Sequence, residues 1–104
     1  LCANEKNKII GVTTALPNKC VNFPEKKGYQ IRGVAVLEKD RGKGVASNLI
    51  KEIEKIIKEI NPSHLIWLNS RVSASKFYLK NKYKPYGEKF EVEYSGAHQS
   101  FFKL

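Results

Sequence analysis

Methionine is missing from this sequence, and cysteine, histidine and arginine are scarce. A primary translation product supplies a methionine, so Leu1 is expected to be a processed or internal start, with parts of a larger fold left out. Cys2 and Cys20 are too few and too isolated for a metal site, which wants clustered ligands. His64 and His98 have no CxxC or HExxH companions, so no metal is expected. The two cysteines could form one disulfide, but free thiols in a reducing cytoplasm are the simpler reading. Long apolar runs are lacking as well. Nothing approaches the roughly 20 residues of a membrane span, and no charged-then-apolar leader precedes the first strand-like run. The chain is read as soluble and cytoplasmic, with no membrane partner.

Acidic residues are outnumbered, 10 against 19 lysines and arginines, for a formal charge of +9. Such an excess invites nucleic-acid or acidic-substrate readings. Yet Arg32, Arg41 and Arg71 are the only arginines, and the lysines scatter among glutamates instead of forming a block. No aromatic-basic RNA signature or zinc-finger spacing is present, so a solvated lysine surface is the better reading and nucleic acid is not the expected partner. The charge would still attract a polyanionic small molecule. What remains is ordinary for a folded domain: 104 residues, 41% hydrophobic, with aromatics along the whole length. Residues 1–104 are taken as one domain, with no repeat and no long linker.

The run "KIIGVTTAL", 8–16, is rich in β-branched residues and closes at Pro17, which predicts a strand. A loop-like stretch follows, then "YQIRGVAVL", 29–37, as a second strand with Gly33 suited to a bulge or a close approach. Apolar side chains at Ala46, Leu49, Ile50, Ile53, Ile56, Ile57 and Ile60 recur at helical spacing, predicting one helix over 44–60 that ends at Asn61-Pro62. Glu54 and Lys58 would pair on its outer face. Residues 64–68 read as a short buried strand, and 71–81 as a second helix capped by Asn69 or Ser70. Strands near 88–94 and 99–103 would be joined through Ser95-Gly96. This order implies a mixed sheet with packed helices, an α/β or α+β arrangement.

"DRGKGVAS" stands where the long helix begins. It is too compact for a P-loop, and it lacks the third glycine and following acid of a dinucleotide fingerprint. A helix start used directly as an anion site fits better. Its first turn has unpaired N–H groups and a positive dipole end. Gly42 and Gly44 remove bulk, Val45, Ala46 and Ser47 keep the next turn slim, and Arg41 and Lys43 add charge. A glycine turn with no ligand is the plain alternative.

These residues resemble a known family. Arg41-Gly42-Lys43-Gly44-Val45-Ala46 matches the Arg/Gln-x-x-Gly-x-Gly/Ala signature of the GNAT superfamily of N-acetyltransferases. "QIRGVAVLEKDRGKGVASNLI" is similar to its fourth strand and the helix that follows. "LIWLNSRVSASKFYLKNKYKPYGEKFEV" is similar to its fifth strand, Ala-x-x-Phe-Tyr helix and sixth strand, and "SGAHQSFFKL" to a close seen in small bacterial members. The resemblance covers 8–104 and implies a largely antiparallel mixed sheet with splayed central strands, lacking the family's first strand and first two helices. By resemblance, acetyl-CoA is the cosubstrate and an amine the acceptor. Amides of about Lys43 to Ser47 would hold its pyrophosphate, and the backbone of Val34, Ala35 and Val36 would pair with pantetheine as an added strand does. Gly33 would start the splay between this strand and 64–68.

Tyr78 stands where the family often places a tyrosine that protonates the leaving thiolate. Against that, Phe77 and Tyr78 could be packing aromatics with the hydroxyl tied to backbone. No general base is assigned: histidine titrates in a suitable range, which draws attention to His98, and Glu91 and Glu93 stand on equal terms. Two departures from the family pattern matter. Arg71 replaces a frequent asparagine seven residues before the tyrosine, leaving one pantetheine contact in doubt. The absent N-terminal elements normally form much of the acceptor wall, so that side would stand open or be completed by another chain, as in a homodimer. A non-catalytic acyl-CoA-binding module is the alternative reading.

Overall fold

Alternation of β-branched and polar residues sets where the strands run. The computed structural model describes residues 1–5 and 7–104. Among these, the elements in chain order are β1 (Cys2–Glu5), β2 (Lys8–Pro17), β3 (Gly28–Val36), α1 (Val45–Ile60), β4 (Leu65–Arg71), α2 (Ser75–Lys80), β5 (Lys84–Val92) and β6 (Gly96–Lys103). β1 is an element the sequence pattern does not announce, since four residues with two polar ones carry too little periodicity.

The strands form one six-stranded sheet in the order β1-β2-β3-β4-β6-β5. All neighbours are antiparallel except β3 and β4, which run parallel and need the crossover that α1 supplies. That parallel pairing is short. Gly28, Tyr29 and Gln30 meet Leu65, Ile66 and Trp67, after which β3 continues to Val36 and β4 to Arg71 without pairing each other. The expected splay is present, but it begins after Gln30 rather than at Gly33. Gly33 instead bulges against β2: Thr13 pairs Val34 and Thr14 pairs Arg32, leaving Gly33 unmatched at φ +76°. The bulge bends the free part of β3 after the two strands have parted.

Both helices pack on one face of the sheet. Ile50, Ile53 and Ile57 of α1 share a core with Tyr78 of α2, Tyr83, and Ile31, Ile66, Leu68 and Phe101 of the strands. Close approach under α1 requires Gly11. A Cβ there would lie 3.1 Å from both Leu49 Cδ1 and Val45 Cγ1, and 3.2 Å from the Ala35 oxygen. The apolar stripe of α1 is narrower than its spacing suggests: Ile56 is 42% and Ile60 59% exposed. On the opposite face, the loop after β2 covers β4, β6 and β5. Its Phe23 packs on Phe102 and Tyr86, Cys20 Sγ lies 3.0 Å from the Tyr86 hydroxyl, and Trp67 donates to the Asn18 carbonyl. Both cysteines are free thiols.

The second helix departs most from expectation. A 3-10 turn, Val72–Ala74, precedes a six-residue α2, and no side chain caps either. Asn69 and Ser70 are not caps because they stay in β4, paired with Ser100 and Gln99. Ladder pairing with β6 overrides their local preference for a helix start. β5 likewise begins earlier than expected, with an irregularity between Tyr86 and Phe90 whose carbonyls at Tyr86 and Gly87 accept from Gln99 Nε2.

A polar clamp ties α1 to the far half of the fold. Glu54 accepts from the Tyr83 hydroxyl at 2.6 Å and from Lys103 Nζ at 3.0 Å, and Lys103 also donates to the Asn81 carbonyl. The expected Glu54–Lys58 pair is not formed, because Lys58 caps the carbonyls of Pro62 and His64 beyond the helix end. Tyr83→Phe removes a bond to a charged acceptor from a buried ring and is expected to cost about 1.5–3 kcal/mol, read as a lowered urea midpoint.

Candidate functional site

The gap between β3 and β4 exposes backbone groups that a sheet would ordinarily use. Leu37 N–H donates to the Ile10 carbonyl, and Thr13 turns its N–H to the Leu1 oxygen on the side away from β3. Hydrogen-bonding direction alternates along a strand, so Ala35 faces β2 while Val34 and Val36 turn their main-chain groups into the gap. Of the three residues expected to pair with an added strand, two are oriented to do so and Ala35 is directed elsewhere. The Val36 carbonyl is already engaged, accepting from Arg41 Nε at 3.1 Å. The groups left in the gap are the Val34 N–H and C=O and the Val36 N–H.

Immediately beyond β3, the chain makes a 3-10 turn, Glu38–Asp40, and then the glycine turn. Gly42 and Gly44 both take φ +80°, and among the described residues nothing beyond the immediate chain neighbours lies within 4 Å of where either Cβ would be. Gly44 is the N-cap of α1, with no side chain capping the first turn. The first helical bond there runs from Asn48 N–H to the Gly44 carbonyl, so the N–H groups of Val45, Ala46 and Ser47 lack helical acceptors. These three residues line an open cleft of about 280 Å³ together with Val36, Asp40, Arg41 and the two glycines. Its far wall comes from α2, through Phe77 and Lys80. Asn81 holds that wall in place, bonding the Phe77 carbonyl at 2.8 Å and Ser47 Oγ at 3.4 Å.

Charge at the cleft is arranged differently from the sequence reading. Lys43 is not part of the lining; its ammonium lies 3.2 Å from Asp40, whose buried carboxylate it offsets. The second oxygen of Asp40 is buried with no partner among the described residues. Lys80 is the cationic side chain that the sequence reading missed. Phe77 and Lys80 stand three apart, a spacing that puts both on one helix face, and that signal was available. The burial of Asp40 had no signal in the sequence.

Tyr78 lies in the core shared by the helices and the sheet, outside the cleft lining. Ile31 and Leu68, the residues next after the last paired positions of β3 and β4, belong to the same core cluster as its ring. The ring meets Phe77 and Tyr83 edge-on at 5.0 and 5.8 Å and tilts against Phe101 at 5.6 Å. Burial pushes its hydroxyl above the usual phenol range, so the group is held neutral and able to donate. No hydrogen bond to that hydroxyl is present among the described residues, so it is not tied to backbone. His98, by contrast, is engaged through Nδ1 with the Gly96 carbonyl at 2.9 Å. Glu91 and Glu93 are exposed on and beyond the end of β5, and Arg71 Nε bonds Ser95 Oγ at 3.2 Å. None of the four lines the cleft. No group of three or more potential metal ligands occurs among the described residues.

Comparison with known proteins gives a consistent likeness. The family model described as the acetyltransferase (GNAT) family matches residues 1–83. An uncharacterized N-acetyltransferase of Bacillus subtilis, YitI, is 30% identical over 95 residues, covering 91% of this chain and 63% of its own length. Among solved structures, Escherichia coli ElaA superposes with a TM-score of 0.83 at 16% identity, over 99% of this chain and 65% of that one. Arabidopsis thaliana Naa50, in complex with the bisubstrate analogue CoA-Ac-MVNAL, gives 0.78 at 20% identity, over 99% and 70%. The chain thus spans about two-thirds or less of the first relatives it matches.

The glycine turn makes a stability prediction independent of any ligand. Gly44→Ala forces a Cβ into the left-handed region and is expected to cost about 1–2 kcal/mol in urea unfolding, although space for the methyl group is open.

Proposed function

The chain belongs to the GNAT acetyltransferase family, and from that premise we propose that it transfers the acetyl group of acetyl-CoA to an amine by direct attack in a ternary complex. The single observation that carries this reading is a conjunction at the end of β3. Strands that part after three pairs, and a helix start with no side-chain cap and open space where Cβ atoms at Gly42 and Gly44 would lie, stand beside one another.

In this reading the amides of Val45, Ala46 and Ser47, with Gly44, hold the pyrophosphate, and Arg41 and Lys80 add positive charge. The space a Cβ would fill at 42 and 44 is free, so the residues present fit such a group. Val34 and Val36 offer main-chain groups to the pantetheine amides as a partner strand would. Acetyl-CoA supplies an acyl carbon activated as a thioester. The amine forms its bond to that carbon, the carbon–sulfur bond breaks, and the amine gives up one proton to water. Tyr78, neutral and without a hydrogen-bond partner among the described residues, donates its proton to the departing sulfur and is reprotonated from solvent. The products are an amide and the free thiol of CoA. The acceptor is an amine of a small molecule or a protein.

CoA is expected to raise the melting temperature in a saturable way, and Gly44→Glu to abolish the shift by placing bulk and negative charge over the amides. Tyr78→Phe should lower kcat about a hundredfold while leaving CoA affinity unchanged. Equal kcat in the phenylalanine variant removes the role given to the hydroxyl. A CoA-dependent shift with no transfer to any member of an amine panel would replace the enzyme with an acyl-CoA-binding module.

A further inference from the structure

At the other end of β3 and β4, where the two strands are still paired, lies a second cleft of about 670 Å³. It is unrelated to the glycine turn. Pro17 and Asn18 at the end of β2, Lys27, Gly28 and Tyr29 at the start of β3, and Ile60 at the end of α1 contribute to it. His64 lines it from the segment that leads into β4.

His64 is the anomaly. It is 6% exposed, its Nδ1 is sealed from solvent with no partner, and neither ring nitrogen bonds to the protein among the described residues. Buried polar groups are ordinarily satisfied; the sealed Nδ1 is out of a ligand's reach, and Nε2, which bonds to no protein group among the described residues, is the nitrogen a ligand could meet. The residue is held firmly: its ring packs against Tyr29 at 5.1 Å, its backbone N–H donates to the Asn61 carbonyl at 3.1 Å, and its backbone carbonyl accepts from Lys58 Nζ at 2.7 Å. Two lysines, Lys19 and Lys27, join the lining, and no acidic residue does among the described residues. Ile60, left 59% exposed by a helix whose other apolar positions are mostly covered, provides an apolar wall.

We propose that this cleft binds a small organic anion, with its carboxylate or phosphate held by Lys19, Lys27 and His64 Nε2, the ring nitrogen that is not sealed, and its apolar part against Ile60 and Pro17. Cationic side chains beside an apolar wall recognise that class: the charge draws the head group, and the wall adds an apolar contact that an inorganic ion cannot make. The site is separate from the anion cradle at Gly44, since it draws on the opposite ends of β3 and α1.

Residue-resolved NMR tests it on the full chain. Inorganic phosphate and benzoate are titrated separately against sodium chloride at matched ionic strength, following the amides of Gly28, Tyr29, Asn61 and His64 and the His64 ring. Saturable shifts with either anion are expected, the tighter one identifying the head group. Linear drift with both overturns the proposal, as do shifts confined to Gly42 and Gly44. The Lys19→Ala/Lys27→Ala double variant changes exposed side chains and is expected to fold. It should weaken the binding about tenfold, and unchanged affinity in it also overturns the site. His64→Phe, which keeps the contact with Tyr29 and removes the nitrogens, should weaken binding in the same way.

Discussion

Parallel pairing between β3 and β4 stops after three residue pairs, and nearly everything of functional interest follows from that stop. A fully paired sheet would bury the Val34 and Val36 main-chain groups and close the route between the strands. An unpaired sheet would have no fixed relation between β3 and β4. Three pairs are enough to hold the strands in register at one end and leave the other end free. The helix that connects them starts where the free end begins, so an unpaired stretch of backbone and an unpaired helix turn are placed side by side by chain connectivity. No separate device is needed to bring them together.

That arrangement leaves backbone amides unsatisfied, and the fold limits the damage locally. Arg41 takes up the Val36 carbonyl, Asp40 is offset by Lys43, and Asn81 bridges the two helices through Ser47. The Glu54 clamp and the aromatic cluster around Tyr78 then lock α1 and α2 over the half of the sheet beyond the gap. The site is therefore open on its own face and rigid underneath, which is the combination a preorganised binding surface requires.

How much of this was legible in the sequence depended on whether local chemistry or tertiary pairing decided the outcome. The glycine turn was legible because φ > 0 and the absence of bulk are properties of residues 42 and 44 themselves. The long helix was legible from its stripe, and the splay from resemblance. The extent of β4 was not: Asn69 and Ser70 look like helix caps until β6 is laid beside them. Lys43 looked like the phosphate partner because it sits between the glycines, but a buried Asp40 claims it and Lys80 takes the place at the cleft. The hydroxyl of Tyr78 could be judged unpaired only in three dimensions. The cleft around His64 assembles residues from four parts of the chain and had no linear trace at all.

One missing side chain reaches further than its position suggests. Gly11 lies under α1, and its lack of a Cβ lets Val45 and Leu49 settle directly onto β2. Val45 is also the first residue of the helix whose amides face the cleft. The vertical seat of the cradle is thus determined from below, by a residue on another strand that never meets a ligand. Drift at position 11 in related chains would surface as a shifted start of α1, with the fold otherwise sound.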